Sequence, residues 1–409
     1  MKKERFLSQL EELSTKFNDT KGNGVTRFSW SHTAALAQSW LEKEFSRMGI
    51  SLIADGAGNL HAHYKGKSNL PRVIIGSHLD TVRNGAKYDG TFGLIAALET
   101  LRSFREEGFI PNRNIEFIAF AEEEGANFGT TCLGSKLITG IVNPEDLTKL
   151  TNNDGTNAWD LLENHDLVPD RLASQQIDPH TVHAYLEAHV EQERRLFKNN
   201  YKLGVVKAIS AMRSYKVIYH GESVFAATPL KERKDPVLSF IECHMEIQKV
   251  IASGAFPENT RFTVGQISCN PGTPIMVPGE CIFTIDIRNL EITNLPAISE
   301  KIKAIITKVA EKNGIGVDII PLSRSGGVKM SETIQKAYKD AAAELGFEYF
   351  EMNCGTALDA ASMGTIVPSG LLLIANQVDP ETGEKYALAE DLYNGALVYE
   401  KAIRQIVSE

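Results

Sequence analysis

Apolar positions along this chain follow two periods, and the change of period marks its organisation. Through residues 1–50, Leu7, Leu10 and Leu13, then Ala35, Leu36, Trp40 and Leu41, recur at three- and four-residue steps, the spacing of helices with one buried stripe. Arg72–Ser77 (RVIIGS) is instead a continuous apolar run, as is Ile115–Ala121 (IEFIAFA), and strands covered on both faces read this way. Between them Thr91–Glu107 carries Leu94, Ile95, Leu98 and Leu101 on one stripe, with Gly108 placed as a C-cap. This β-α-β rhythm predicts an α/β domain with a mostly parallel sheet.

From about residue 209 the period changes. Tyr215–His220 alternates as a half-buried strand does, and Asp235–Ser253 has Val237, Phe240, Ile241, His244, Ile247 and Ile251 at helical spacing. Thr260–Ser268 and Cys281–Arg288 read as strands, Ala297–Asn313 as a helix and Gly316–Leu322 as a last strand. That β-α-β-β-α-β order is the ferredoxin-like one. Beyond 325 follow a helix (Glu332–Leu345), a buried strand (Gly370–Ala375) and a terminal helix (Glu390–Val407). The expected architecture is a discontinuous domain, 1–208 with 326–409, into which a small α/β unit, 209–325, is inserted.

Composition narrows the partners. The chain has 409 residues, 43% of them hydrophobic, and 43 basic against 52 acidic side chains give a net charge of -9. No basic cluster stands out, which argues against nucleic acid. No apolar run approaches the roughly 18 residues of a membrane span. The N-terminus, MKKERFLSQLEEL, lacks the apolar core of a secretory signal. Cys132, Cys243, Cys269, Cys281 and Cys354 are scattered and odd in number, which reads as reduced thiols in a cytoplasmic protein.

Candidate chemistry gathers in three segments. In GSHLDTVRNGAKYDGTFG (76–93), His78 ends a buried strand, Asp80 follows two residues on, and Asp89 lies in a Gly-rich loop before the next helix. A ligand imidazole usually has a carboxylate on its other nitrogen, which fixes its tautomer, and loops at the carboxyl ends of parallel strands are where open α/β sheets place their sites. AFAEEEGANF (119–128) sets three carboxylates directly after a buried strand, costly unless a cation or protons offset them. YLEAHVEQ (185–192) places His189 on a strand, while His180, His183 and His244 read as ordinary surface or packing histidines. His78, Asp89, Glu124 and His189 together form a mixed N/O set suited to zinc or manganese.

GSHLDTV…DG, EEEGANFG and HVEQ resemble the successive metal-site motifs of peptidase family M20, in its N-carbamoyl-L-amino-acid hydrolase and allantoate amidohydrolase branch. ATPLKERKDP (227–236) and VPGE…DIRN (277–289) resemble two stretches of that family's inserted domain, and the likeness runs from about residue 20 to the end. The resemblance implies a catalytic domain with an inserted lid and dimerisation domain, hence a homodimer, acting on a small carboxylate-bearing substrate through a linear amide or ureido C–N bond. It implies one tight metal site of His78, Asp89 and His189, and a second sharing Asp89 and adding Glu124. By the same likeness Glu123 is the general base, assisted by Asp80, Gln192 lines the pocket, and Arg288 grips the substrate carboxylate.

The likeness breaks at four polar positions. Tyr386 stands where the family has a ligand histidine, Leu358 and Val224 replace histidines, and Ile275 replaces an asparagine. These changes leave the second metal site incomplete and imply a less polar pocket. Three readings follow: a hydrolase with altered chemistry, using Tyr386, Cys354, Glu384 or Glu390 as substitute groups; a homologue that binds a ligand without turnover; or an aminopeptidase of the same family. An intact Glu123 beside the first metal set favours the hydrolase.

Overall fold

The continuous apolar runs become the middle of a sheet. The computed structural model describes every residue except 21, 23, 153, 259, 290 and 379–384. In it Arg72–His78 and Ile115–Phe120 run parallel, with His78 opposite Phe120. Val182–Val190 lies parallel on the other side of Arg72–His78, and Ser369–Ile374 parallel beyond it. These strands need no polar face because both sides are covered. Val73 and Ile75 join one apolar cluster with Phe92, Leu98 and Phe104 of the helix Thr91–Glu107, while Ile74 between them joins a second with Ile138 and Leu371.

Around this parallel centre the sheet becomes antiparallel. Leu60–Tyr64 pairs antiparallel with Ile115–Phe120 and carries Leu52–Ala54 outside it; on the far side Leu203–Ile209 pairs antiparallel with Ser369–Ile374. The helical expectation for residues 1–50 resolves into two helices, Lys3–Thr15 and His32–Ser46. Ser31 starts the second by accepting the Ala34 N–H on its hydroxyl, a side-chain N-cap. The helix Thr91–Glu107 ends at Gly108, whose φ of 68° suits the left-handed cap.

By its internal packing the chain divides into two units, Met1–Ile209 with Val328–Glu409, and Ser210–Gly327. The second unit has an antiparallel sheet of Gly316–Ser325, Ala211–His220, Glu280–Asn289 and Arg261–Asn270, in that spatial order. Numbered along the chain this is fourth, first, third, second, with the helices Pro236–Ala252 and Leu295–Lys312 as crossovers. Glu280–Asn289 alternates strictly between buried and half-buried residues, as expected of a sheet covered on one face. Asp235 caps its helix by accepting the Val237 and Leu238 N–H groups. His244, whose place on the apolar helix face suggests a satisfied core histidine, packs between the rings of Phe240 and Phe262, but its buried Nδ1 has no hydrogen-bond partner among the described residues.

Candidate metal centre

Three parallel strands deliver their carboxyl ends to one place. His78 is the last residue of its strand, His189 the penultimate residue of the next, and the acidic loop 122–124 follows the third. Both imidazoles are fully buried, and Asp89 is nearly so. One ligand atom from each of His78, Asp89 and His189 lies within 4.8 Å of the others.

The hydrogen bonds assign the tautomers. His78 Nδ1 donates to the Asp80 carbonyl at 3.0 Å, and His189 Nδ1 donates to the Val190 carbonyl at 2.9 Å. Each ring therefore turns its Nε2 inward, and the two Nε2 atoms face each other at 3.2 Å. Two acceptors do not approach this closely unless a proton or a cation lies between them. Asp89 Oδ1 lies 3.2 Å from His189 Nε2 and 3.9 Å from His78 Nε2. The donor set thus fits a divalent cation in both chemistry and convergence. Gly90, with φ of 66°, makes the close approach possible: its N–H points at His189 Nε2 at 3.1 Å, and a Cβ there would meet the His78 carbonyl at 2.4 Å.

The three consecutive glutamates take three different surroundings. Glu122, itself at a left-handed φ of 56°, turns its carboxylate onto Asn127, accepting from the backbone N–H at 2.6 Å and from Nδ2 at 2.8 Å. Glu123 points toward His78, its Oε2 lying 3.8 Å from Nε2, and the Cys132 thiol donates to its Oε1 at 3.5 Å. Glu124 accepts the Val82 N–H at 3.3 Å and lies outside the three converging ligands. Asp80 holds this loop in place by accepting the Glu123 and Glu124 N–H groups, each at 3.1 Å. Its carboxylate stands 3.7 Å from His78 Nδ1, farther than its own carbonyl. Gln192 donates to Asp89 Oδ2 at 2.8 Å and so touches a candidate ligand directly.

Electrostatics record the crowding of carboxylates. Burial raises Glu123 well above the ordinary carboxylate range, with His78 pulling the other way. Burial and the charge of Asp89 push Glu124 up to about 8, and burial and Asp80 push Glu122 up to about 7. Burial would lower His78, but Glu123, Asp80 and Glu124 raise it well above its usual value. Burial lowers His189, which stays neutral. Protons here balance charges that a cation would otherwise balance.

Each position where the likeness breaks has surroundings of its own. Leu358 is buried in an apolar cluster with Met352, Cys354 and Met363, so its aliphatic side chain fills core. Tyr386 is partly exposed, and its hydroxyl donates to Gln377 Oε1 at 3.1 Å. Cys354 is buried with its thiol at 3.3 Å from the Thr356 carbonyl, Glu390 pairs with Lys3, and Glu384 lies outside the described residues. In the second unit Val224 pairs with Val277, Ile275 is exposed, and Arg288 Nε donates to Asp286 Oδ1 at 2.7 Å.

Several residues that build the centre carry no motif. Arg27 is wholly buried; its Nε donates to the Leu79 carbonyl at 2.7 Å, and its backbone exchanges hydrogen bonds with Thr81 on either side of Asp80. Asn59 accepts the Ala121 N–H at 2.9 Å and donates to Asp55, bracing the start of the acidic loop. Asp359, next to Leu358, is fully buried, with no partner of full hydrogen-bond geometry among the described residues, and burial holds its carboxyl well above the usual range. The only sequence signal for these was a polar residue beside buried apolar neighbours.

A parallel α/β sheet that gathers two imidazoles and a group of carboxylates at its carboxyl end is the construction of a metal-dependent hydrolase. Residues 74–405 match the pattern of peptidase family M20/M25/M40, and the chain belongs to that family. It is 31% identical over 411 residues to the N-carbamoyl-L-amino-acid amidohydrolase of Pseudomonas sp. (strain NS671), covering 99% of this chain and 98% of that protein. It is 30% identical over 368 residues to the allantoate amidohydrolase of Bacillus subtilis (strain 168), covering 90% of this chain and 88% of the other. Among solved structures, the crystal structure of AtUAH in complex with (S)-hydroxyglycine superposes with a TM-score of 0.93 at 26% identity, over 100% of this chain and 98% of that one.

Proposed function

We propose that this chain is a metal-dependent amidohydrolase that cleaves a linear amide or ureido C–N bond in a small carboxylate-bearing substrate of the N-carbamoyl- or N-acyl-amino-acid kind. The observation that carries the reading is the convergence of His78, Asp89 and His189 directly beside Glu123. The names of the curated relatives support the bond type.

His78, Asp89 and His189 would hold zinc or manganese, whose Lewis acidity lowers the pKa of a bound water to about 7 and polarises a carbonyl. A second cation would draw on Asp89 and Glu124, with no histidine in support. Glu123 accepts the proton of the attacking water as oxygen bonds to the substrate carbon. It then returns that proton to the nitrogen as the C–N bond breaks. Asp80 keeps Glu123 in position through the loop amides. Arg288 supplies the bidentate grip on the substrate carboxylate, which lysine could not reproduce. The larger unit is the catalytic domain, and the inserted unit forms the lid and the contact of a cytoplasmic homodimer.

The test is an assay of N-carbamoyl, N-formyl and N-acyl L-amino acids with metal supplied, run on the wild type and on Glu123→Gln. The glutamine variant keeps the volume and the metal and loses turnover. Undiminished turnover in that variant sinks the mechanism. Binding without turnover in either protein replaces it with a ligand-binding role.

A further inference from the structure

In the inserted unit two cysteines stand directly opposite each other. Arg261–Asn270 and Glu280–Asn289 are antiparallel neighbours, and their register sets Cys269 against Cys281. Directly opposed residues of such a pair have Cα atoms about 4.5–5.5 Å apart and side chains on one face. A disulfide spans Cα separations of about 4.4–6.8 Å. Both side chains turn to the covered face: Cys281 is fully buried among Tyr219, Phe283 and Ile306, and Cys269 packs against the same cluster while remaining half-exposed. Neither sulfur is in a disulfide.

We propose that Cys269 and Cys281 are a redox modification site, forming a reversible cross-strand disulfide with a small-molecule disulfide as oxidant. The inference concerns the inserted unit alone and does not depend on the hydrolase reading. The two cysteines have unequal roles. Burial and the neighbouring Cys269 sulfur push the Cys281 thiol up to about 12, which leaves the attack on the oxidant to Cys269. It is also the one that solvent reaches.

The Cys269 thiolate attacks one sulfur of the oxidant, forms a mixed disulfide and expels the first small thiolate. Cys281 then gives up its proton and attacks the Cys269 sulfur, expelling the second. Two protein thiols are oxidised, the oxidant is reduced to two small thiols, and the two protons go to these leaving groups. The bond would close the base of residues 270–280. That segment is already tied at Gly279 N–H to the Asn270 carbonyl (2.9 Å) and at Ala226 N–H to the Ile275 carbonyl (3.0 Å), and it carries Ile275. The modification therefore fixes the segment in which a family asparagine has become isoleucine.

The reduced protein, incubated with glutathione disulfide, should lose two of its five titratable thiols and yield a peptide linking Cys269 to Cys281. Cys281→Ser should trap glutathione on Cys269. Cys269→Ser should keep all its remaining thiols. Amide exchange across 270–280 should slow by about tenfold on oxidation and recover on reduction, in keeping with loss of local opening. An unchanged thiol count in the wild type, a link between any other pair of cysteines, or stable glutathionylation of the wild type at Cys269 would each overturn the proposal. The wild-type count decides the matter even where the buried Cys281→Ser variant folds poorly.

Discussion

The two units solve the problem of a sheet differently. In the larger one, neighbouring residues of a strand enter different apolar clusters, Ile75 one and Ile74 the other, so no side of the sheet faces water. In the inserted one, Glu280–Asn289 buries only alternate residues, and Ile282, Thr284 and Asp286 between them stay half-buried. A sheet covered on both sides leaves only its strand ends open to a ligand. Polar chemistry therefore collects where the central parallel strands stop. The one-sided sheet keeps a free surface and free edges, which suit contacts rather than a buried metal centre.

The sharpest break of this comparison is at the strand ends. Glu123→Gln should lower turnover about 10²–10⁴-fold while metal content stays at the wild-type level. A rate within a few-fold of wild type would show that the buried loop does not supply the base. His189→Ala should strip the centre of metal during purification, whereas Tyr386→Phe, remote in its hydrogen bonding from the three ligands, should retain the first equivalent. Metal analysis of both variants separates a single firm site from one that leans on the 377–386 segment.

Core substitutions compare the sheets directly. Ile118→Ala, at a wholly buried position of the central sheet, should cost about 2–5 kcal/mol in denaturant unfolding. Ile267→Ala in the one-sided sheet should stay within about 0.5 kcal/mol. Equal costs would mean that the edge strand Arg261–Asn270, where Ile267 is 53% exposed, is covered in solution.

The smallest effect is a slope. In the metal-free protein Glu122 and Glu124 are raised from 4.5 to about 7 and about 8, chiefly by burial. Between pH 5 and 8 the folded state keeps protons that the unfolded chain has released, so stability falls as pH rises through that window. A bound cation takes the place of those protons and flattens the slope. Melting temperatures of chelated and metal-loaded protein across the window should diverge as pH increases; parallel curves would contradict this.

How much of this was legible depends on whether a residue acts along the chain or across it. RVIIGS and IEFIAF announce buried strands because apolar residues fill both the odd and the even positions of each run, with Glu116 the one charge inside them, and ECIFTIDIRN announces its one-sided sheet by alternation. LHAHY does not, since His61 and His63 break the apolar run, yet it forms the strand beside Ile115–Phe120. His78, Asp89 and His189 are visible because strand ends followed by polar loops are where ligands gather. Arg27 and Asn59 act on residues 52 and 62 positions away, at Leu79 and Ala121, and no local pattern encodes a side chain that caps a distant backbone group. The partner of His78 was legible in place but not in kind: Asp80 binds it with its carbonyl and spends its carboxylate on the loop amides.

That last arrangement sets the electronic character of the centre. A carboxylate on the far nitrogen pulls the ring proton toward itself and makes the imidazole a richer electron donor; a peptide carbonyl pulls far less. Both histidines here lean on carbonyls. An ion held between them would therefore receive less electron density than one bound by carboxylate-backed imidazoles.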